Sequence, residues 1–313
     1  MLAVAATQSA PLLLTAGDGP WAWTKARYTL LDGALDDKVT SYRASALSHL
    51  NTLGTAIRTQ MHDDNSVAFE FDDDGDVGPL TLSLASYDDA GVGGHVWDAG
   101  VALAILSKGS EPFASSALAN GHSKVLELGA GLGLPGISLS RHAGVGSVTL
   151  TDARPKLLPV LESNAARASP LADVQVKILE WGDGYFTGDP ELATKRECGT
   201  GQASSHLADF VDQFDVVIGS DVCYEEQSVP HLASLLGELH APLSLLIGPA
   251  TRPSMRKLAK VLAETEGMAV EQRLVTLVCS NATDEGDGGE TGSSSNTATW
   301  RSGGVHMLLT VRQ

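Results

Sequence analysis

Three groups of residues in this chain are of types that do chemistry. The first is a crowd of glycines: Gly129, Gly131, Gly133 and Gly136 lie within eight positions. They follow the short apolar run Val125 to Leu128 and lead into Pro135, Ile137 and Leu139. Proline is tolerated in the first turn of a helix, so the stretch reads as a strand, a glycine turn and a helix start. Such a turn lets ligand and backbone approach closely and offers unpaired N–H groups, as a nucleotide-like ligand needs. The second group is a pair of acids. Glu127 sits inside the strand, where a carboxylate is costly unless paired. Asp152 ends the next apolar run, about 20 residues after the glycines, where a carboxylate can grip ribose hydroxyls. The third is Asp221 with Tyr224, three positions apart, which could hold an amine through hydrogen bonds. Glycines alone leave the ligand open: Gly131-x-Gly133-x-x-Gly136 also satisfies the dinucleotide fingerprint. A structural turn capped by two acids would need no ligand at all.

The elements that must position these residues alternate between strand and helix. After the glycines come a helix over 155–168, a strand over 174–179 and a strand over 214–219. A helix over 229–239, a strand over 243–247, a helix over 255–266 and strands over 269–278 and 305–311 follow. Alternation of this kind predicts an α/β fold, a mostly parallel sheet with helices on both faces. Ligands of such sheets bind at the carboxyl ends of the strands. Gly129, Asp152, Trp181 and Ser220 all fall there, one per successive strand.

Upstream the pattern changes. Residues 1–24 are small, apolar and unpatterned. Leu47, Leu50, Leu53 and Ile57 are spaced about one turn apart, which predicts a helix over 41–61. Residues 67–71 and 80–84 alternate like strands around the acidic turn 72–76, which matches a calcium loop only loosely. The expected organisation is an N-terminal extension over 1–90 (flexible start, helix, hairpin) and a ligand-binding domain over 91–313. Loops are expected over 183–212 and 281–299. A helix from Val101 to Leu106 should follow the Gly91–Gly100 stretch; there Trp97 is core or a stacking wall, and His95 a loop residue.

Composition narrows the function classes. Hydrophobic content of 43% is enough for a core, and the net charge is −17. That charge argues against binding a phosphate backbone and suits a partner with a basic segment. Cys198, Cys223 and Cys279 form no CxxC pair, so neither a metal site nor a disulfide framework is expected. No stretch is long and apolar enough to span a membrane. The N-terminus makes a poor secretory or organellar signal. A monomer in the cytoplasm, or also the nucleus, is expected.

The motifs and their order carry a resemblance. Glu127-Leu-Gly129-Ala-Gly131-Leu-Gly133 resembles motif I of the seven-strand S-adenosylmethionine-dependent methyltransferases. Val96-Trp97-Asp98-Ala99-Gly100, Leu179-Glu-Trp181-Gly182 and Ser220-Asp221-Val-Cys-Tyr224 are similar to motifs of its lysine-methyltransferase-like group, methyltransferase family 16. The resemblance covers about residues 90–275. It implies a Rossmann-like seven-strand sheet with an antiparallel edge hairpin, and S-adenosyl-L-methionine as cofactor. It implies cofactor contacts from Trp97, Glu127, Gly129, Ala130, Gly131, Gly133, Asp152, Trp181 and Ser220. Asp221 and Tyr224 would then mark the acceptor site, with Cys223 facing away. The implied activity is protein-lysine N-methylation, with a protein substrate carrying the lysine and no nucleic acid or membrane partner. Transfer to histidine or a small amine, cofactor binding without catalysis, and NAD-dependent dehydrogenation are the alternatives. NAD leaves Trp97, Trp181 and Asp221-x-x-Tyr224 unexplained.

Overall fold

The strand residues sort themselves between two apolar layers, as a two-residue period requires. Val125 joins one layer while Leu126 and Leu128 join the other. Ile218 and Val217, Leu245 and Leu246, and Leu308 and Leu309 divide in the same way. Every one of these strands is therefore covered on both faces, which is why the runs read as continuously apolar.

The computed structural model describes residues 24–31, 52–62, 64–71, 78–108, 121–181, 207–281 and 301–313. Its strands are β1 (Thr24–Leu31), β2 (Thr52–Met61), β3 (Ser66–Phe71), β4 (Leu80–Ser83), β5 (Ser123–Leu128) and β6 (Val145–Asp152). They continue with β7 (Asp173–Ile178), β8 (Val216–Ser220), β9 (Leu243–Pro249), β10 (Ala269–Asn281) and β11 (Arg301–Arg312). The helices are α1 (Tyr87–Ala90), α2 (Asp98–Lys108), α3 (Leu134–Ser140), α4 (Leu158–Arg167), α5 (Val229–Leu239) and α6 (Pro253–Glu264).

All the strands form one sheet, ordered β4-β3-β2-β1-β10-β11-β9-β8-β5-β6-β7. From β7 to β9 neighbours are parallel. β11 then runs antiparallel between β9 and β10. This is the Rossmann-like α/β sheet of seven strands that the sequence predicts, with helices on both faces. α2, α3 and α4 lie in one layer and α5 and α6 in the other.

The N-terminal strands depart from expectation. Residues 52–61, expected as the second half of a helix, form β2; residues 41–51 lie outside the described part. Leucine spacing suggested a helix, but Thr52, Thr55, Ile57 and Thr59 are β-branched and suit a pleated ladder. Antiparallel partners on both sides decide it, with Leu53 opposite Tyr28 and Ile57 opposite Phe71. The β10–β11 hairpin is present, and β1 pairs with β10, so the sheet continues past it into a four-strand meander. α2 touches β1 and β2 of the meander as well as β8, β9 and β11. Residues 99–106 of α2 are all buried, as a helix apolar on every side must be.

The acidic turn 72–76 lies outside the described residues, as do 182–206 and 282–300, where the two loops were expected. Residues 207–212, expected as loop, include a 3-10 turn (Leu207–Asp209) and the fully buried Phe210, stacked on Phe214 at 6.2 Å.

One buried side chain ties the meander to the glycine turn. Asn164 of α4 accepts from the Ser83 N–H at 2.8 Å and donates to the carbonyls of Ser83 and Leu132, both at 3.2 Å. Asn164→Ala leaves these backbone groups unmet, and an unsatisfied buried group costs about 1–3 kcal/mol. Urea unfolding should show a loss in that range; a change within about 0.5 kcal/mol, typical of an inert surface site, would mean the pin carries no stability.

Candidate active site

The turn out of β5 uses backbone conformations that only glycine adopts without strain. Gly129, Gly131 and Gly133 have φ of +56°, +56° and +87°. A Cβ on Gly131 would stand 3.1 Å from the Gly93 carbonyl, so the turn also approaches the Gly91–Gly94 segment closely. The loop is laced to β6: Ala130 N–H donates to the Thr151 carbonyl at 2.8 Å, and the Thr151 hydroxyl donates to the Glu127 carbonyl at 2.6 Å.

Two carboxylates fix its ends. Asp152 accepts from the Gly131 N–H at 3.1 Å and from the Arg154 N–H at 3.0 Å. Burial pushes its pKa up, opposed by these two N–H groups. Glu127 accepts from the Gly136 N–H at 2.9 Å, an unpaired donor in the first turn of α3. It is fully buried and its Oε1 has no hydrogen-bond partner.

Glu127 therefore departs from its expected place. It does not line the cleft; it braces the loop from beneath. The signal was present in the strand's parity: Glu127 shares the face of Val125, toward α3, opposite Leu126 and Leu128. The other expected residues all line one cleft of about 280 Å³: Trp97, Gly129, Ala130, Gly131, Gly133, Asp152, Trp181, Ser220, Asp221 and Tyr224. His95, expected as a plain loop residue, is also in its wall.

Two groups of residues line the cleft. The first is the glycine loop, Asp152 and the half-buried Trp181, whose ring edge lies 3.6 Å from where a Cβ on Gly129 would be. Trp97 spends its indole N–H on the Val92 carbonyl at 2.9 Å and presents its ring as wall. Ser220 closes toward the first turn of α2, its hydroxyl 3.5 Å from the Cβ position of Gly100.

In the second group Asp221 adopts φ +54°, uncommon for a side-chain-bearing residue, with its N–H on the Ile247 carbonyl at 2.8 Å. Its Oδ2 accepts from Arg252 Nη2 at 2.9 Å and its Oδ1 is buried with no hydrogen-bond partner. Burial pushes Asp221 up to about 6, with Arg252 opposing. Tyr224 stands 41% exposed at the rim. Cys223 between them is buried and faces away, beside Ser228 and Ser254 of the second core layer.

Sequence reasoning missed Arg252 and Asp98. Arg252 lies 31 residues beyond Asp221, in the β9–α6 connection. Asp98, at the start of α2, is 8% exposed with Oδ1 unpartnered. Burial, and next the charge of Asp221, push its pKa up to about 7.

Burial raises Glu127 from 4.5 to about 8. Between those values the folded chain holds a proton that the unfolded chain has lost. Its contribution to stability is thus complete below pH 4.5 and is lost as pH rises through about 8. Glu127→Gln removes the titration, so the fall in stability over that window should flatten when both proteins are unfolded in denaturant across pH. An unchanged slope would mean that Glu127 is ionised in the folded chain.

Fold and site define a Rossmann-like α/β domain with a glycine-loop cleft at the carboxyl ends of its parallel strands. Residues 78–191 match the model of a family described as lysine methyltransferase, and over those residues the chain carries that family's pattern. Asp221 and Tyr224 lie beyond the matched stretch. EEF1A lysine methyltransferase 3 of Mus musculus is 29% identical over 152 residues, which are 49% of this chain and 53% of that protein. The chain thus spans about half the length of this curated relative. Solved structures with a related shape include an O-methyltransferase from Bacillus cereus in complex with SAH (15% identity, TM-score 0.36, 68% of this chain and 80% of that one). Another is a putative RNA methyltransferase from Pyrococcus horikoshii (12% identity, TM-score 0.38, 62% and 76%). Likenesses at these scores leave the fold to be defined by the strand order itself.

Proposed function

We propose that the chain is an S-adenosylmethionine-dependent protein N-methyltransferase acting on a lysine side chain. The observation that carries this is one cleft lined by two chemically different groups of residues. A glycine cradle and a carboxylate form the first, and an acid–tyrosine pair forms the second.

The residues fit the cofactor. Gly131 leaves open a place where a side chain would meet the Gly93 carbonyl. Asp152 has one N–H on each oxygen, and a carboxylate has about four lone-pair sites, so it can still accept from a ribose diol. Asp221 adds a second carboxylate to the lining, which suits a ligand that brings positive charge or donors. Glycine-loop N–H groups would hold the methionine end, Trp181 would pack on the adenine, and Trp97 and Ser220 would line the remainder. The cofactor supplies an activated methyl group on sulfur; alignment and exclusion of water are the protein's part.

The acceptor site favours an amine. A lysine with a reference pKa of about 10.4 arrives protonated. Asp221 attracts that ammonium and the Tyr224 hydroxyl can hold the nitrogen in line. The amine must then lose its proton before it can attack, so transfer should quicken with rising pH. The family description and the mouse relative favour lysine over histidine or a small amine. The net charge of −17 suits a substrate with a basic segment. Among the described residues no helix is long and apolar enough to cross a membrane.

Cell extract incubated with the protein and methyl-labelled S-adenosylmethionine should yield a labelled protein, with the label on lysine. Asp152→Ala should weaken cofactor binding by about 1.5–3 kcal/mol, the range for hydrogen bonds to a charged group. Asp221→Asn and Tyr224→Phe should bind the cofactor nearly as before and transfer at least roughly tenfold more slowly, about 1.4 kcal/mol of lost transition-state stabilisation. Wild-type transfer rates in both variants would put the acceptor elsewhere. Cofactor binding without any labelled protein would favour a binding module, and calorimetry showing NAD bound instead would favour a dehydrogenase.

A further inference from the structure

We propose that Arg252 is a positioning residue of the acceptor site: it clamps Asp221 through one carboxylate oxygen and so holds an anion where the cleft takes a cationic amine. The proposal rests on the lysine-transfer function above and adds a residue to it.

Local sequence explains why Arg252 is placed to do this. It precedes Pro253, and a residue before proline is held extended; its φ and ψ are −77° and 123°. Its N–H donates to the Pro249 carbonyl at 3.0 Å, which anchors the turn out of β9. The Asp221 N–H meets the Ile247 carbonyl of the same strand. Both partners are thus fixed by backbone at the ends of the neighbouring parallel strands β8 and β9. The guanidinium reaches Asp221 Oδ2 at 2.9 Å and the Tyr224 carbonyl at 3.5 Å, so one side chain touches both residues of the acceptor pair.

The pair is set well inside the surface, with Arg252 26% and Asp221 11% exposed. A charge so placed depends on its neighbours. Those within electrostatic reach of Asp221 are Arg252 from the β9–α6 turn, Asp98 from α2, and Cys223 and Tyr224 from its own segment. Of these Arg252 alone is cationic. Burial favours a neutral Asp221, and a neutral acid has no hold on an ammonium. Arg252 keeps Asp221 ionised where the substrate needs an anion, and fixes which oxygen is engaged.

The test is carbon-13 NMR of the full chain labelled at aspartate carboxyls, with the Asp221 signal assigned by Asp221→Asn. In Arg252→Met the Asp221 titration should move up by about 1–3 pH units, the size of an opposite charge's effect on a neighbouring acid. Arg252→Lys should restore most of it. The acid limb of the pH profile for labelling extract protein should move in the same direction. If Arg252→Met does not fold, Arg252→Gln replaces it. An Asp221 titration unmoved by loss of the guanidinium, in a chain that still labels lysine, overturns the clamp alone. A shifted titration in a chain whose wild type labels nothing overturns the lysine-transfer function and leaves the clamp standing.

Discussion

The turn from β5 into α3 is held by two acidic side chains on its backbone N–H groups: Asp152 on Gly131 and Glu127 on Gly136. Three left-handed glycines make the turn possible, but they do not determine where it goes. Glycine is permissive, and permissive backbone is costly to order. The acids supply the order. Asp152 does so while facing the cleft, so one side chain both shapes the loop and offers lone pairs to a ligand. Glu127 does so from the core, where its charged form is costly and burial favours the proton.

The sheet then determines what the loop faces. Parallel β8 and β9 deliver Asp221 and Arg252 at the same edge where β5 and β6 deliver the glycines and Asp152. α2 contributes at the same edge: its first turn brings Asp98 and Gly100 to Asp221 and Ser220. Strands β3 and β4 of the meander share one apolar cluster with that helix. The N-terminal strands thus bear on the site indirectly, by burying the helix whose start helps to form it.

Much of this was legible in sequence because it depends on local pattern. Apolar runs, glycines and Pro135, Pro155, Pro230 and Pro253 mark the strand ends and helix starts of residues 123–264 within a few positions. Cleft residues at the strand ends were legible for the same reason: in a parallel sheet, position along the chain fixes the edge. What depends on long-range partners was not. Thr52–Met61 carries both a helical spacing of leucine and isoleucine and a strand's share of threonine, and only pairing with β1 and β3 decides between them. The Asp221–Arg252 pair joins residues from different strand ends. Glu127 was recognised as an acid in need of a partner but assigned to the ligand, when the partner is the backbone of α3.

Amide hydrogen exchange, read residue by residue with and without S-adenosylmethionine, tests the central claim that this cleft is the cofactor site. The account predicts slower exchange on cofactor addition at the amides of Gly129 to Gly133 and of the segments that follow Asp152 and Ser220, with little change in the meander. No protection at these strand ends, or the same protection given by NAD and not by S-adenosylmethionine, would contradict it.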